Sequence, residues 1–76
     1  MGQSRDMVTQ IRTQYGSFTK SYQKLADFIL ENLNEVAFFS INELSQKAGI
    51  SPATITRFTR RLGFQGYPDF QRSVYE

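Results

Sequence analysis

Residues 51–61 bring together the side chains of this chain that are best suited to binding chemistry. At about 100° per residue, a helix over this segment carries small, hydroxyl and guanidinium groups on one face. That face comprises Ala53, Thr56, Arg57 and Arg60, with Thr54 and Arg61 on its flanks. Small residues at the start of a helix let it enter the major groove of DNA, and arginine can donate two hydrogen bonds to guanine. The order of residue types therefore predicts a helix that reads base edges in duplex DNA.

The distribution of charge supports this interpretation more than the net charge does, which is only +2. Residues 21–43 contain one lysine and four acidic residues, whereas residues 44–68 contain four basic residues and no acidic residue. The four basic residues are Lys47, Arg57, Arg60 and Arg61. Positive charge beside the predicted recognition helix suits the approach to DNA phosphates. The alternative is that these arginines only form a solvated helix face.

Composition excludes several classes of function. The chain has no cysteine and no histidine, which excludes thiolate and histidine-based catalysis and removes the commonest metal ligand. Asp27 and Glu31 form a carboxylate pair on one helix face, and such a pair is usually solvated. We therefore expect no enzyme, no cofactor and no metal site. No apolar run approaches the ~20 residues that span a bilayer, and no signal peptide is recognisable, so we expect a cytoplasmic protein without membrane contact.

Capping signals in the middle of the chain predict two short helices joined by a turn. Ser40 and Glu43 have the spacing of a capping box, and Gly49 is placed to end the first helix in the left-handed conformation. Ser51 can cap the second helix, which Gly63 ends. The residues expected to point inward are Ile41, Leu44 and Ala48 in the first helix and Ile55, Phe58 and Leu62 in the second. This arrangement predicts a helix-turn-helix.

The other segments predict an all-α, small helical bundle of about five helices. Residues 1–5 are expected to be disordered, and helices are expected over residues 6–15, after a cap at Thr19, and from Pro68 onward. Residues 34–39 predict a single helical turn. The apolar residues of that turn, expected in the core, are Val36, Phe38 and Phe39. No pair of alternating strands follows the second helix, so no wing is expected.

Aromatic side chains are interpreted as core, because they recur at helical spacing rather than on a surface that could stack nucleic-acid bases. They are Phe38, Phe39, Phe58, Phe64 and Phe70. Tyr67 leaves two alternatives open, since its hydroxyl could bind a phosphate or its ring could cover the core. Val8, Ile11 and Tyr15 on the first helix likewise could contact a second subunit or pack within their own bundle.

A specific combination of short motifs lies between residues 36 and 70. It consists of Ser40-Ile41 and Glu43-Leu44, Ala48-Gly49-Ile50-Ser51, Thr54-Ile55 and Arg57-Phe58, then Leu62-Gly63-Phe64, Gly66-Tyr67 and Asp69-Phe70. This combination closely resembles the N-terminal domain of RpiR-family (MurR/RpiR) transcriptional regulators. With the preceding helices, the resemblance covers nearly all of the chain. The helix-turn-helix alone is shared by many families, whereas the motifs after it are more specific.

The resemblance implies that residues 6–76 are the DNA-binding helix-turn-helix domain of a bacterial regulator of sugar or amino-sugar catabolism. In that family, a sugar-isomerase-type domain follows, binds a phosphorylated sugar and thereby alters operator binding. That second domain is absent here, so we expect the chain to be a fragment of a longer parent protein.

The way a recognition helix docks in the major groove predicts which DNA group each site residue contacts. Ser51 with the start of the helix, and Arg60 and Arg61 further along, are expected at phosphates. The residues expected at base edges are Ala53, Thr54, Thr56 and Arg57. Because one helix reads few base pairs, we expect a homodimer on a palindromic operator in double-stranded DNA. The alternative function is a helix-turn-helix module that binds another protein through the same arginines.

Overall fold

The computed structural model describes residues 7–75, and in that range the chain forms six α-helices and no strand. They are α1 (Met7–Gln14), α2 (Lys20–Glu31), α3 (Leu33–Val36), α4 (Ile41–Ala48), α5 (Pro52–Arg61) and α6 (Tyr67–Tyr75), with a 3₁₀ turn over Tyr15–Ser17. The prediction of an all-α bundle without a wing is confirmed. Helix α6 begins one residue before the predicted Pro68. The predicted disorder of residues 1–5 lies outside the described residues.

Side-chain caps set the starts of the central helices. Ser40 Oγ accepts from the Glu43 N–H at 3.1 Å, and the Glu43 carboxylate accepts from the Ser40 N–H at 2.8 Å. This is the predicted capping box, which satisfies two otherwise unpaired N–H groups. Ser51 Oγ caps α5 by accepting from the Thr54 N–H at 3.2 Å, and Thr19 caps α2 in the same way. Residues close in sequence therefore fix where these helices begin.

The turn between α4 and α5 depends on Gly49, whose φ is 71°. This left-handed conformation costs glycine little, whereas it costs other residues about 1–2 kcal/mol. The N–H groups of Gly49 and Ile50 both donate to the Ser45 carbonyl, and Ile50 returns to the core. A Cβ atom at Gly49 would also lie 3.1 Å from the Lys24 ammonium nitrogen. The glycine thus fixes the direction in which α5 leaves the turn.

One core joins the helices. Helix α2 contacts α3 and α4, α5 contacts α4 and α6, and α6 also contacts α1 and α3. The largest fully buried side chains are Ile11, Leu25, Ile29, Val36, Leu44, Ile55, Phe58, Thr59 and Phe70. The rings of Phe18, Tyr22 and Phe58 pack edge to face, with centroids 5.3 to 5.8 Å apart. Since Ile11 is fully buried, α1 packs within its own bundle.

The prediction that Phe38 lies in the core is wrong, because its side chain is 84% exposed. Val36, at the end of α3, is fully buried, and a residue two positions later lies about 200° around a helical turn. Phe38 therefore points to the opposite side. Phe39, one residue further, is half-buried, and the Lys47 ammonium nitrogen lies 5.5 Å from its ring centroid.

Helix α6 holds the C-terminal end of α3. The two hydrogens of the Gln71 side-chain amide are shared among the carbonyls of Val36, Ala37 and Phe39, which lie 3.2, 3.0 and 2.7 Å from Nε2. The Tyr67 hydroxyl lies 2.8 Å from the Phe39 carbonyl oxygen and 3.3 Å from that of Val36. The last carbonyls of a helix lack partners within it. The Val36 carbonyl accepts from the Phe39 N–H at 3.2 Å, and α6 adds donors to it and to the carbonyls of the turn after α3. Tyr67 is only 3% exposed and belongs to the core, which favours that alternative over a phosphate contact.

Candidate nucleic-acid interface

The predicted site residues lie together on the outward side of α5. Its exposed members are Ser51, Ala53, Arg57, Arg60 and Arg61, and its half-buried members are Thr54 and Thr56. The opposite side of the helix buries Ile55, Phe58 and Thr59. Thr59 was not recognised from the sequence as a core residue, and its hydroxyl is satisfied by donating to the Thr56 carbonyl at 2.9 Å.

Ser51, Thr54 and Arg57 form a hydrogen-bonded row along this side of α5. Ser51 Oγ donates to Thr54 Oγ1 at 2.9 Å, and Arg57 Nη2 donates to the same oxygen at 3.3 Å. The Ser51 hydroxyl is therefore occupied by the cap. At the start of α5, the backbone N–H of Ala53 has no acceptor within the helix and suits an anion. Arg57 is held beside Thr54 and keeps its other N–H groups for a ligand.

Arg60 lies beside an open groove between the starts of α4 and α6 and the middle of α5. Its Nε donates to the Gln65 carbonyl at 3.1 Å, which ties the guanidinium to the segment after α5. The groove has a volume of about 460 Å³, and its polar lining includes Ser40, Thr56 and Gln71. Because Arg60 is the charged residue of this lining, the groove suits a phosphate of the DNA backbone.

Arg61 is turned towards the end of α1 and the turn that follows it. Its Nε lies 3.3 Å from Gln14 Oε1, and its Nη2 lies 2.7 Å from Ser17 Oγ. The guanidinium carbon is 5.4 Å from the centroid of the Phe18 ring, within the range of a cation–π interaction. Sequence reasoning missed these contacts because the polar partners lie 47 and 44 positions earlier. The expected contact of Arg61 with a phosphate stays a prediction.

The carboxylates considered for catalysis have a structural or solvated role. Asp27 accepts a hydrogen bond from the Tyr15 hydroxyl at 2.9 Å, and this bond is the main reason that the pKa of Tyr15 is raised. Glu31 is exposed. Among residues 7–75, no three acidic, histidine or cysteine side chains are grouped to hold a metal ion. No helix in this range is long and apolar enough to cross a bilayer.

Comparison with known proteins identifies the family. The model of the helix-turn-helix domain of the rpiR family matches residues 5–76. The HTH-type transcriptional regulator HexR of Pseudomonas aeruginosa is 34% identical over 67 residues, which are 88% of this chain and 24% of HexR. An uncharacterized HTH-type transcriptional regulator of Haemophilus influenzae is 35% identical over 71 residues, 93% of this chain and 25% of that protein.

A solved structure has the same fold. The Vibrio vulnificus NanR protein complexed with ManNAc-6P superposes with a TM-score of 0.86 at 34% identity, covering 90% of this chain and 26% of the NanR chain. The chain thus spans about a quarter of the length of these relatives. Because the family model matches nearly all of it, this chain belongs to the rpiR family of helix-turn-helix domains, which are DNA-binding domains of transcriptional regulators such as HexR and NanR, not enzymes.

Proposed function

We propose that this domain binds double-stranded DNA sequence-specifically and reads the operator of a bacterial transcriptional regulator. The observation that carries the proposal is the outward side of α5, where small and hydroxyl side chains precede a positioned arginine. Ala53 is exposed in the first turn, and Thr54 Oγ1 accepts from Arg57 one turn later. A recognition helix in the major groove needs short side chains at its start and directed donors for base edges.

Each residue of the site has a role in this proposal. The residues at base edges are Ala53, Thr54, Thr56 and Arg57. Phosphates are bound by the start of α5 at Ser51, by Arg60 at its groove, and by Arg61 through the N–H groups that its intramolecular partners leave. The tie between Arg60 and the Gln65 carbonyl supports a backbone contact, because it directs the guanidinium away from the start of the helix.

The functional unit in this proposal is a homodimer on a palindromic operator. Two recognition helices, spaced by one DNA turn of ~34 Å, read two half-sites that a single α5 is too short to cover. Met7 and Ile11 are buried in the chain's own core. The core side of α1 is therefore unavailable to a second subunit, and the dimer must use another surface.

For the whole protein, we infer a cytoplasmic regulator of sugar or amino-sugar catabolism. Its effector is a phosphorylated sugar, bound through a further, sugar-isomerase-type domain. The support for a sugar phosphate is the NanR structure, which is complexed with ManNAc-6P. The support for a further domain is that this chain covers 26% of the NanR chain.

Titration of a fluorescent random-sequence duplex with this chain, followed by anisotropy from about 50 to 200 mM salt, tests DNA binding. Log affinity should fall linearly with log salt, with a slope that corresponds to several released counterions. Selection from a random pool then yields the operator, and the ratio of its affinity to that of the random duplex measures specificity. Lack of binding at low salt, even by two covalently joined copies, would refute the proposal and favour the alternative of a protein-binding module.

A further inference from the structure

The Arg61 guanidinium is the centre of a network in which each hydrogen bond has a defined direction. The Gln14 side-chain amide donates to Gln10 Oε1 at 3.3 Å, so its own oxygen is the end that faces Arg61 Nε. Ser17 Oγ donates its single proton to the Gln14 carbonyl at 2.8 Å, so its lone pairs accept from Arg61 Nη2. Both partners therefore present acceptors to the guanidinium, which has only donors.

Arg61 lies over an aromatic side chain of the core. The Phe18 ring, which lies 5.4 Å from the guanidinium carbon, packs edge to face on Phe58 of α5 with centroids 5.3 Å apart. Phe18 is 6% exposed and Phe58 is fully buried. The guanidinium thus lies over a ring that is packed into the core, and Gln14 and Ser17 accept hydrogen bonds from it. Such an arginine has lost much of its rotamer freedom before any ligand binds.

We infer that Gln14 and Ser17 are positioning residues for DNA binding, which hold the Arg61 guanidinium where its other N–H groups contact a DNA phosphate beside the end of α5. This inference rests on the proposed function. A side chain that is already immobilised pays a smaller entropy cost when it contacts a phosphate. The end of α1 and the turn after it therefore contribute to DNA affinity without touching DNA, although they lie outside the helix-turn-helix.

The Ser17→Ala variant tests this inference without changing the charge of the chain. It should bind the random-sequence duplex about threefold to tenfold more weakly, because Arg61 must then be immobilised during binding. The salt slope should stay at the wild-type value, since no cation is removed. The Gln14→Met variant, which removes the other acceptor, should behave in the same way. Ser21→Ala is the matched control, because Ser21 is an exposed serine of α2, and it should bind like the wild type.

A double-mutant cycle separates positioning from a general effect on the fold. Arg61→Gln should weaken binding and reduce the salt slope by about one. In that background, Ser17→Ala should have no further effect, because the guanidinium that it positions is gone. Each variant is measured at a temperature at which circular dichroism shows it to be fully folded.

If the wild type binds DNA, any one of three results would overturn the inference. These are wild-type affinity of Ser17→Ala, wild-type affinity of Arg61→Gln, and an equal loss from Ser17→Ala in both backgrounds. A wild-type chain that fails to bind duplex DNA would instead refute the proposed function, and the inference would fall with it.

Discussion

Replacing Tyr67 by phenylalanine removes one hydroxyl, so it isolates the hydrogen bond that this residue of α6 makes near the end of α3. The two carbonyls near this hydroxyl, those of Phe39 and Val36, also accept from the Gln71 amide at 2.7 and 3.2 Å. They keep a partner in the variant, so the loss should be that of one net hydrogen bond, about 1 kcal/mol, rather than the larger cost of an unpaired buried group. For a domain of this size, that corresponds to a melting temperature lower by about 4–8 °C.

A second substitution shows whether this calculation is correct. Gln71→Met removes the other donor, and in combination with Tyr67→Phe it leaves the Phe39 carbonyl without either partner, whereas the Val36 carbonyl still accepts from the Phe39 N–H at 3.2 Å. The double variant should therefore lose about 1 kcal/mol or more beyond the sum of the single losses. Since a domain this small has roughly 3–5 kcal/mol of net stability, the double variant should be close to unfolding. Urea and thermal unfolding followed by far-UV circular dichroism measure all four proteins.

The pH dependence of stability gives an independent readout for Tyr67. Burial, and secondarily the negative charge of Glu43, raise the pKa of Tyr67 from 10.0 to about 12. The unfolded chain loses this proton at a lower pH than the folded chain. The stability that comes from the neutral hydroxyl is therefore complete below pH 10.0 and is lost as the pH rises to about 12. The advantage of the wild type over Tyr67→Phe should shrink over this range.

Two results would refute the reasoning about Tyr67. The first is equal stability of wild type and Tyr67→Phe at neutral pH, with parallel curves in alkali. The second is strict additivity with Gln71→Met. Either would mean that the hydroxyl is not paired with the end of α3.

Three further substitutions test the site and its turn. Arg57→Ala should cost about 1–3 kcal/mol of affinity at one operator base pair, measured by anisotropy with operator variants; an even loss across all variants would contradict a base contact. Arg60→Ala should weaken binding to all duplexes alike and reduce the salt slope by about one, and a loss confined to one base pair would contradict a phosphate contact. Gly49→Ala should lower the free energy of unfolding by about 1–2 kcal/mol in urea denaturation, because of its left-handed backbone; wild-type stability would show that the turn relaxes.

Features that depend on a few consecutive residues could be predicted from the sequence. The capping box at Ser40, the left-handed Gly49 and the cap at Ser51 each involve groups within about one helical turn. The inward stripe of α5 was predicted as well, because three turns are enough to define a helical period. Phe38 was placed wrongly because a single helical turn has no period, and only packing on the rest of the molecule decides which of its side chains point inward.

Contacts between distant parts of the chain could not be predicted. The choice between two roles for Tyr67 depends on a carbonyl 28 positions earlier. The partners of Arg61 are polar side chains of an unrelated segment, and no periodicity relates them to α5. The composition of the α5 face could be predicted, but the direction of each guanidinium could not, because neighbouring backbone and side-chain acceptors determine it.

The hydrogen-bonded row of Ser51, Thr54 and Arg57 determines which hydrogen bonds these residues can offer to DNA. Thr54 Oγ1 accepts from both Ser51 and Arg57, so its lone pairs are occupied and its proton is what remains for a base. Arginine also has only donors. In the proposed complex, the row of Ser51, Thr54 and Arg57 therefore offers hydrogen-bond donors to DNA. Guanine and thymine present acceptors in the major groove, whereas cytosine presents an amino group, which these donors would repel.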